Sequence, residues 1–318
     1  MSTEPETISN RNLLDPDAIQ SAQALGFAAR FIVEGYMAGE HASPLRGFSM
    51  EFNQHREYVP GDDIRHLDWK VLGRTDRYYL KQYEQDTNFI AHIILDGSES
   101  MKYGSGAQNQ PGVSKNAPTA KLTKFEYGKV IAACLAYLIL HQRDATSLTL
   151  FDNQVRSIVP RTGNLGSIHN MLANLAAMQP TQSTSIGPVL HYLASQVKKR
   201  GIVILISDLF DDEKSILDGI QHLRFGGNEV IVLHTLDPFE LDFPFTGNVE
   251  FLGLEDIPKA KVRPKEIRKT YQREIQAMCD RMRIGCENNS SHYFLINTLH
   301  PVTECLNAYL RYRLKTHA

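Results

Sequence analysis

Phe89-Ile90-Ala91-His92-Ile93-Ile94-Leu95-Asp96-Gly97-Ser98-Glu99-Ser100 is the stretch that decides the fold. Its first seven residues are apolar except for His92. They are too few for a core helix and too continuous for a strand with one wet face, so they predict a strand buried on both sides. A second run, Ile202-Val203-Ile204-Leu205-Ile206, stops in the same way at Ser207-Asp208. Further strands are expected at Ser147–Phe151, Glu229–His234 and Tyr293–Ile296, with Val155–Val159 returning as a hairpin across Asp152-Asn153. Between the strands the spacing turns helical: Thr123 to about Gln142, Gly166–Met178, Ile186–Lys199, Glu213–Leu223, Pro264–Cys286 and a closing helix Val302–Arg313. Apolar strands alternating with helices give an α/β fold, a doubly wound, mainly parallel, Rossmann-like sheet flanked by helices with one antiparallel edge strand.

Working back from Phe89, the chain changes character. Residues 1–15 are polar and read as disordered. Residues 16–87 read as a small N-terminal α+β element packed on a main domain of residues 88–318. It has a helix from Asp17 to Gly39 and short strands at Phe48–Phe52 and Arg77–Tyr83, around a turn at Pro60-Gly61-Asp62. Working forward, Tyr103–Ala120 is Gly/Pro-rich and polar, the pattern of a flexible surface insertion.

The 318 residues carry 34 basic and 36 acidic side chains, a net charge of −2, which excludes a dedicated nucleic-acid binder. The longest apolar run, Val130 to Leu140, is about half of the ~20 residues that a membrane span needs. The first twenty residues form no signal peptide, and the expected compartment is the cytoplasm. Cys134, Cys279, Cys286 and Cys305 show no Cys-x-x-Cys spacing. No phosphate-binding Gly-x-x-x-x-Gly-Lys motif, dinucleotide-binding Gly-x-Gly-x-x-Gly helix start or His-Glu-x-x-His appears, and Ser98 lacks the second glycine of a nucleophile elbow. The chain therefore reads as a protein that is not an enzyme.

Asp96, Ser98 and Ser100 follow the first buried strand at alternate positions, so one turn carries a carboxylate and two hydroxyls. Asp208 ends the second strand and Thr184 precedes the helix at Ile186. In open α/β sheets ligands bind outside the carboxyl ends of the strands, where these five residues are expected. Carboxylates with neutral hydroxyls form a hard oxygen set suited to Mg²⁺, and also to Mn²⁺ or Ca²⁺. The plain alternative is that Asp and Ser here only close turns and cap helices.

This set resembles the metal-ion-dependent adhesion site of von Willebrand factor type A (vWA) domains. The resemblance implies that Ser98, Ser100 and Thr184 bind a divalent ion directly, while Asp96 and Asp208 act largely through water. Upstream, Arg56-Glu57-Tyr58-Val59-Pro60-Gly61-Asp62-Asp63-Ile64-Arg65-His66-Leu67-Asp68-Trp69, followed by Gly73-Arg74-Thr75, resembles the signature of the bacterial "domain of unknown function 58" family. That family is usually encoded beside MoxR-type AAA+ ATPases. The resemblance implies an adaptor or co-chaperone that meets such an ATPase or its client proteins through a metal-bound carboxylate. A metal-dependent phosphohydrolase and a structural scaffold without a metal are the alternatives. For the signature residues two roles stand open: an ion-pair network of Arg56, Arg65 and Arg74 with Asp62, Asp63 and Asp68 against Trp69, or a docking surface.

Overall fold

A computed structural model describes residues 50–57, 73, 78–85, 90–106, 112–113, 117–180, 185–197, 200–247, 249–251, 260–303 and 306. The chain divides into two compact units, residues 43–89 forming one and residues 90–318 belonging to the other. In the first unit β1 (Met50–Glu57) pairs antiparallel with β2 (Tyr79–Gln85), and the register slips between Phe52 and Gln54. Both strands reach further toward their C-termini than the apolar pattern suggests. β1 continues through the polar Asn53–Glu57, and the slip in register leaves one extra residue on β1 opposite β2. The expected helix from Asp17 to Gly39 and the turn at Pro60-Gly61-Asp62 lie outside the described residues.

The second unit is built on a six-stranded sheet. Its strands are β3 (Ile90–Asp96), β4 (Ala145–Phe151), β5 (Val155–Thr162), β6 (Ile202–Ser207), β7 (Glu229–Leu236) and, later in the chain, β10 (His292–Asn297). Their order across the sheet is β10-β7-β6-β3-β4-β5. All neighbours are parallel except β4 and β5, so β5 is the antiparallel edge strand. The chain leaves β3 for β4 and β5, then returns to β6 on the other side of β3. The strand order therefore reverses between β3 and β6, the place beyond the carboxyl ends where open α/β sheets bind their ligands.

The helices are α1 (Lys124–His141), α2 (Ile168–Ala177), α3 (Ile186–Gln196), α4 (Glu213–Phe225), α5 (Pro238–Asp242) and α6 (Pro264–Asn288). α1 begins at a capping box in which Thr123 and Glu126 satisfy each other's backbone N–H groups. It is buried on a wide face, from Phe125 and Tyr127 to Ile139 and Leu140, as its continuous apolar sequence requires. α3 and α4 pack on β3, β6 and β7 through Ile186, Leu190, Ile216 and Ile220, in a cluster that also holds Ile94, Leu205, Val232 and Met282. Among the described residues no helix is long and apolar enough to cross a membrane. Of the expected closing helix only residues 302, 303 and 306 are described.

A satellite core was not evident from the sequence. α5 and the hairpin of β8 (Val249–Phe251) with β9 (Ala260–Val262) bring Phe239, Phe243, Phe245 and Val249 together. Tyr103, Val113, Phe251 and Tyr271 pack against them. The ring of Phe243 lies 4.4 Å from that of Tyr271 and 5.1 Å from that of Phe245. The described residues of the Tyr103–Ala120 segment, read above as a flexible surface insertion, include some that pack inward. Ser105 and Ala120 are buried, the Ala120 N–H donates to Ser105 Oγ at 2.8 Å, and Val113 bridges Phe245.

Candidate functional site

Asp96 ends β3 with both carboxylate oxygens engaged. Oδ1 accepts the Ser98 N–H at 2.9 Å and Oδ2 accepts the Ser207 hydroxyl at 2.6 Å. Ser207 in turn accepts the Leu209 N–H at 3.0 Å, so the two strand ends are stitched together through one hydroxyl. A 3-10 turn over Glu99–Lys102 folds the chain back and brings Ser100 Oγ to 3.1 Å from Ser98 Oγ. Asp96, Ser98 and Asp208 have no solvent exposure and Ser100 is nearly buried.

Asp208 faces a partner that the sequence did not suggest. Lys124, the first residue of α1, is fully buried and donates from Nζ to Asp208 Oδ2 at 2.7 Å and to Glu240 Oε1 at 2.6 Å. The ammonium also lies 4.8 Å from the centre of the Phe210 ring. Glu240 is fixed from behind: with Asp237 it forms the capping box of α5, and the Asp237 carboxylate also accepts the Ser105 N–H at 2.8 Å. Local signals place Lys124 and Glu240 in the first turns of capped helices. Nothing local says that Lys124 is buried, or that it meets Asp208 and Glu240 across 84 and 116 residues of chain.

Electrostatics follow from this burial. Loss of hydration, and then the Asp208 charge, push Asp96 up to about 7, against the hydrogen bonds from Ser207 and Ser98. Burial alone would push Lys124 down, but the carboxylates of Asp208 and Glu240 outweigh it and hold the ammonium above the ordinary lysine range. Two carboxylates thus share one ammonium.

A hard divalent ion needs oxygens at a fixed spacing. Magnesium at its usual bond length places adjacent ligand oxygens about 2.9 Å apart. The 3.1 Å between Ser98 Oγ and Ser100 Oγ fits such an edge, with the Asp96 carboxylate beside it. One Asp208 oxygen is bound to Lys124, and Thr184 lies outside the described residues. Among the described residues no group of three or more His, Cys, Asp or Glu side chains forms a metal cluster, so any cation here depends on hydroxyls.

Residues 54–280, most of the chain, match the family described as "Protein of unknown function DUF58". The chain belongs to the DUF58 family. Uncharacterized proteins of Mycobacterium tuberculosis and Mycobacterium bovis are 24% identical to this DUF58 chain over 265 residues, 81% of it and 77% of their own length. Among solved structures, BatB from Bacteroides thetaiotaomicron overlaps 71% of the chain and 98% of its own, with a TM-score of 0.43 and 16% identity. The SpRpn10 VWA domain overlaps 70% of the chain and 95% of its own, with a TM-score of 0.39 and 13% identity.

Of the DUF58 signature, Arg56 and Glu57 end β1, in register with Leu80 and Tyr79. Tyr58, Pro60, Gly61, Asp62, Asp63, Arg65, Asp68, Trp69 and Arg74 lie outside the described residues. The acidic side chains flanking the site have structural tasks in this DUF58 chain. Asp211 accepts the Ile186 N–H at 2.7 Å, Asp212 caps α4 through Ser215, and Glu213 is held by both arms of Arg281. A buried polar chain leads away from the site. His234 Nε2–H donates to the Asp208 carbonyl at 2.8 Å, which leaves Nδ1 to accept from the Tyr293 hydroxyl at 2.6 Å. Tyr293 in turn acts on the Cys279 thiol of α6, lowering its pKa against the effect of burial. Burial holds His234 down at about 4, so the ring is neutral and this donor order is fixed.

Proposed function

We propose that this DUF58 chain is a protein-interaction module that captures a carboxylate of its partner above β3 and β6, with a divalent cation, Mg²⁺ foremost, between them. Asp96, Ser98 and Ser100 would hold the cation, with Thr184 from the segment before α3 and Asp208 from the end of β6. The observation that carries the reading is the buried pair of hydroxyls, 3.1 Å apart, beside Asp96 at the point where the strand order reverses. When bound, the cation supplies a centre of positive charge for an acidic side chain. The chain's own residues orient that centre: Ser207 and the Ser98 N–H hold the Asp96 carboxylate in one position. A non-enzymatic role is favoured because the Ser98 hydroxyl bonds Ser100 and His234 is spent on a carbonyl, so this nucleophile and this base are not paired. Membership of the DUF58 family favours a MoxR-type AAA+ ATPase, or its clients, as the partner.

The test is capture of a MoxR-type ATPase by the full chain, in Mg²⁺ and in EDTA, with wild type and Ser98→Ala. Ser98→Ala keeps the backbone N–H that serves Asp96 and removes only the hydroxyl. Capture in Mg²⁺, lost both in EDTA and in the variant, is expected. Equal capture in EDTA overturns the reading. Turnover of a phosphoester with Mg²⁺ that disappears in Ser98→Ala would move the assignment to a phosphohydrolase.

A further inference from the structure

We propose that Lys124 is a tethered rival of the divalent cation: its ammonium competes for Asp208, and Glu240 is the perch onto which it withdraws. The inference rests on the cation reading above and adds a control to it. Lys124 Nζ is shared between two carboxylates, at 2.7 Å from Asp208 and 2.6 Å from Glu240. An ammonium on a flexible four-carbon stem can give up one of two such partners and keep the other. Glu240 stays in place when that happens, because its second oxygen accepts the Asp237 N–H at 2.9 Å within the capping box of α5. The Phe210 ring, 4.8 Å from the ammonium, offers a face on which the cation stays favourable as it shifts.

Charge makes the exchange reasonable. Asp208 and Glu240 are two buried or nearly buried carboxylates that share the single ammonium of Lys124, so one negative charge exceeds what that ammonium neutralises. With Lys124 drawn onto Glu240, Asp208 is released to join Asp96 and the serines. Lys124 thereby sets a threshold: only a cation, or a cation with its partner carboxylate, that binds strongly enough to displace the ammonium gains Asp208.

The experiment is calorimetric titration of Mg²⁺ into the full chain as wild type, Lys124→Met, Glu240→Gln, Asp208→Asn, and Asp208→Asn with Lys124→Met. Lys124→Met is expected to tighten Mg²⁺ binding by roughly 5- to 150-fold, the usual range of coupling between two sites. Glu240→Gln removes the perch and is expected to weaken binding. A merely structural role for Lys124 would move both variants in the same direction. The gain from Lys124→Met is expected to vanish when residue 208 is Asn, since no shared carboxylate is left to contest. An equal gain in that background, or unchanged affinity in Lys124→Met, overturns the proposal and leaves the cation reading standing. No Mg²⁺ binding in any variant overturns the cation reading itself, and the rivalry with it. Thermal unfolding checks that each variant is folded. Lys124→Met combined with Glu240→Gln removes one buried charge of each sign and serves where the single change does not fold; tighter binding is expected there too, and binding no tighter than wild type counts against the proposal.

Discussion

Asp96 and His234 are buried within one strand-end network, and burial displaces them in opposite directions. Asp96 is pushed up from 3.8 to about 7, so between those values the folded protein holds a proton that the unfolded chain releases. Its contribution to stability is present at about pH 4 and fades as pH rises toward 7. His234 is pushed down from 6.5 to about 4, so the unfolded chain binds the proton instead, and its contribution grows over nearly the same window. The two slopes oppose each other in the wild type. Asp96→Asn should therefore show a Tm that rises more steeply than wild type from pH 4 to 6.5, and His234→Gln one that falls relative to wild type. A difference of about 1 kcal/mol across the window corresponds to roughly 2–4 °C in a domain of this size. Parallel curves for all three proteins would remove the displaced ionisations from the account. At this scale the candidate site was half legible. Asp96, Ser98, Ser100 and Asp208 follow apolar strands directly, so a few neighbouring residues place them. Lys124 and Glu240 sit at helix starts elsewhere in the chain, and only tertiary packing reveals that Lys124 joins Asp208 to Glu240.

The elements that sequence patterning found are those in which burial repeats along the backbone. β3 and β6 are continuous apolar runs, and α1 is buried on a wide face, so each announces itself. β8 and β9 have three residues each and α5 has five, too few for any period to show. They are held by the aromatic cluster they help to form and not by local propensity. The close approach of α3 to α4 depends on an absence. A Cβ at Gly187 would come within 1.9 Å of Ser215 Oγ and 2.7 Å of the Ser215 carbonyl oxygen. Gly187→Ala gains ~1 kcal/mol of helix propensity. Forcing the helices apart costs about 1–3 kcal/mol and outweighs that gain. A thermal melt should show a lower Tm for Gly187→Ala, and an unchanged or higher Tm would mean that the helices separate freely. α3 starts two residues after Thr184, so the same substitution should weaken Mg²⁺ binding as well.

For the whole molecule, near-neutral composition conceals a segregation of charge. Outside the site, carboxylates near these strand ends are engaged by caps and by Arg281; inside, two buried or nearly buried carboxylates share one lysine. Such a surplus stabilises nothing by itself, and a protein that keeps it gains specificity at a cost in stability. The fold class was fully legible from the alternation of strands and helices, because a parallel sheet buries both faces and leaves that record in every strand. The satellite core was not, because its parts are short and distant in sequence.

The polar chain from Asp208 through His234 and Tyr293 ends on a thiol, and this gives the molecule an internal reporter. Cys134, Cys279 and Cys286 are buried, and burial raises the thiols of Cys279 and Cys286, the latter to about 12. Such thiols react with a disulfide reagent only when the structure around them opens. In a Cys305→Ser background, Tyr293→Phe should speed modification of Cys279 while Cys134, in α1, keeps its rate. Equal acceleration at both would mean that the chain merely fails as a whole. If Cys279 alone quickens, the thiol reports the state of the His234–Tyr293 pair behind the Asp208 carbonyl, with no ligand, partner or assay of function required.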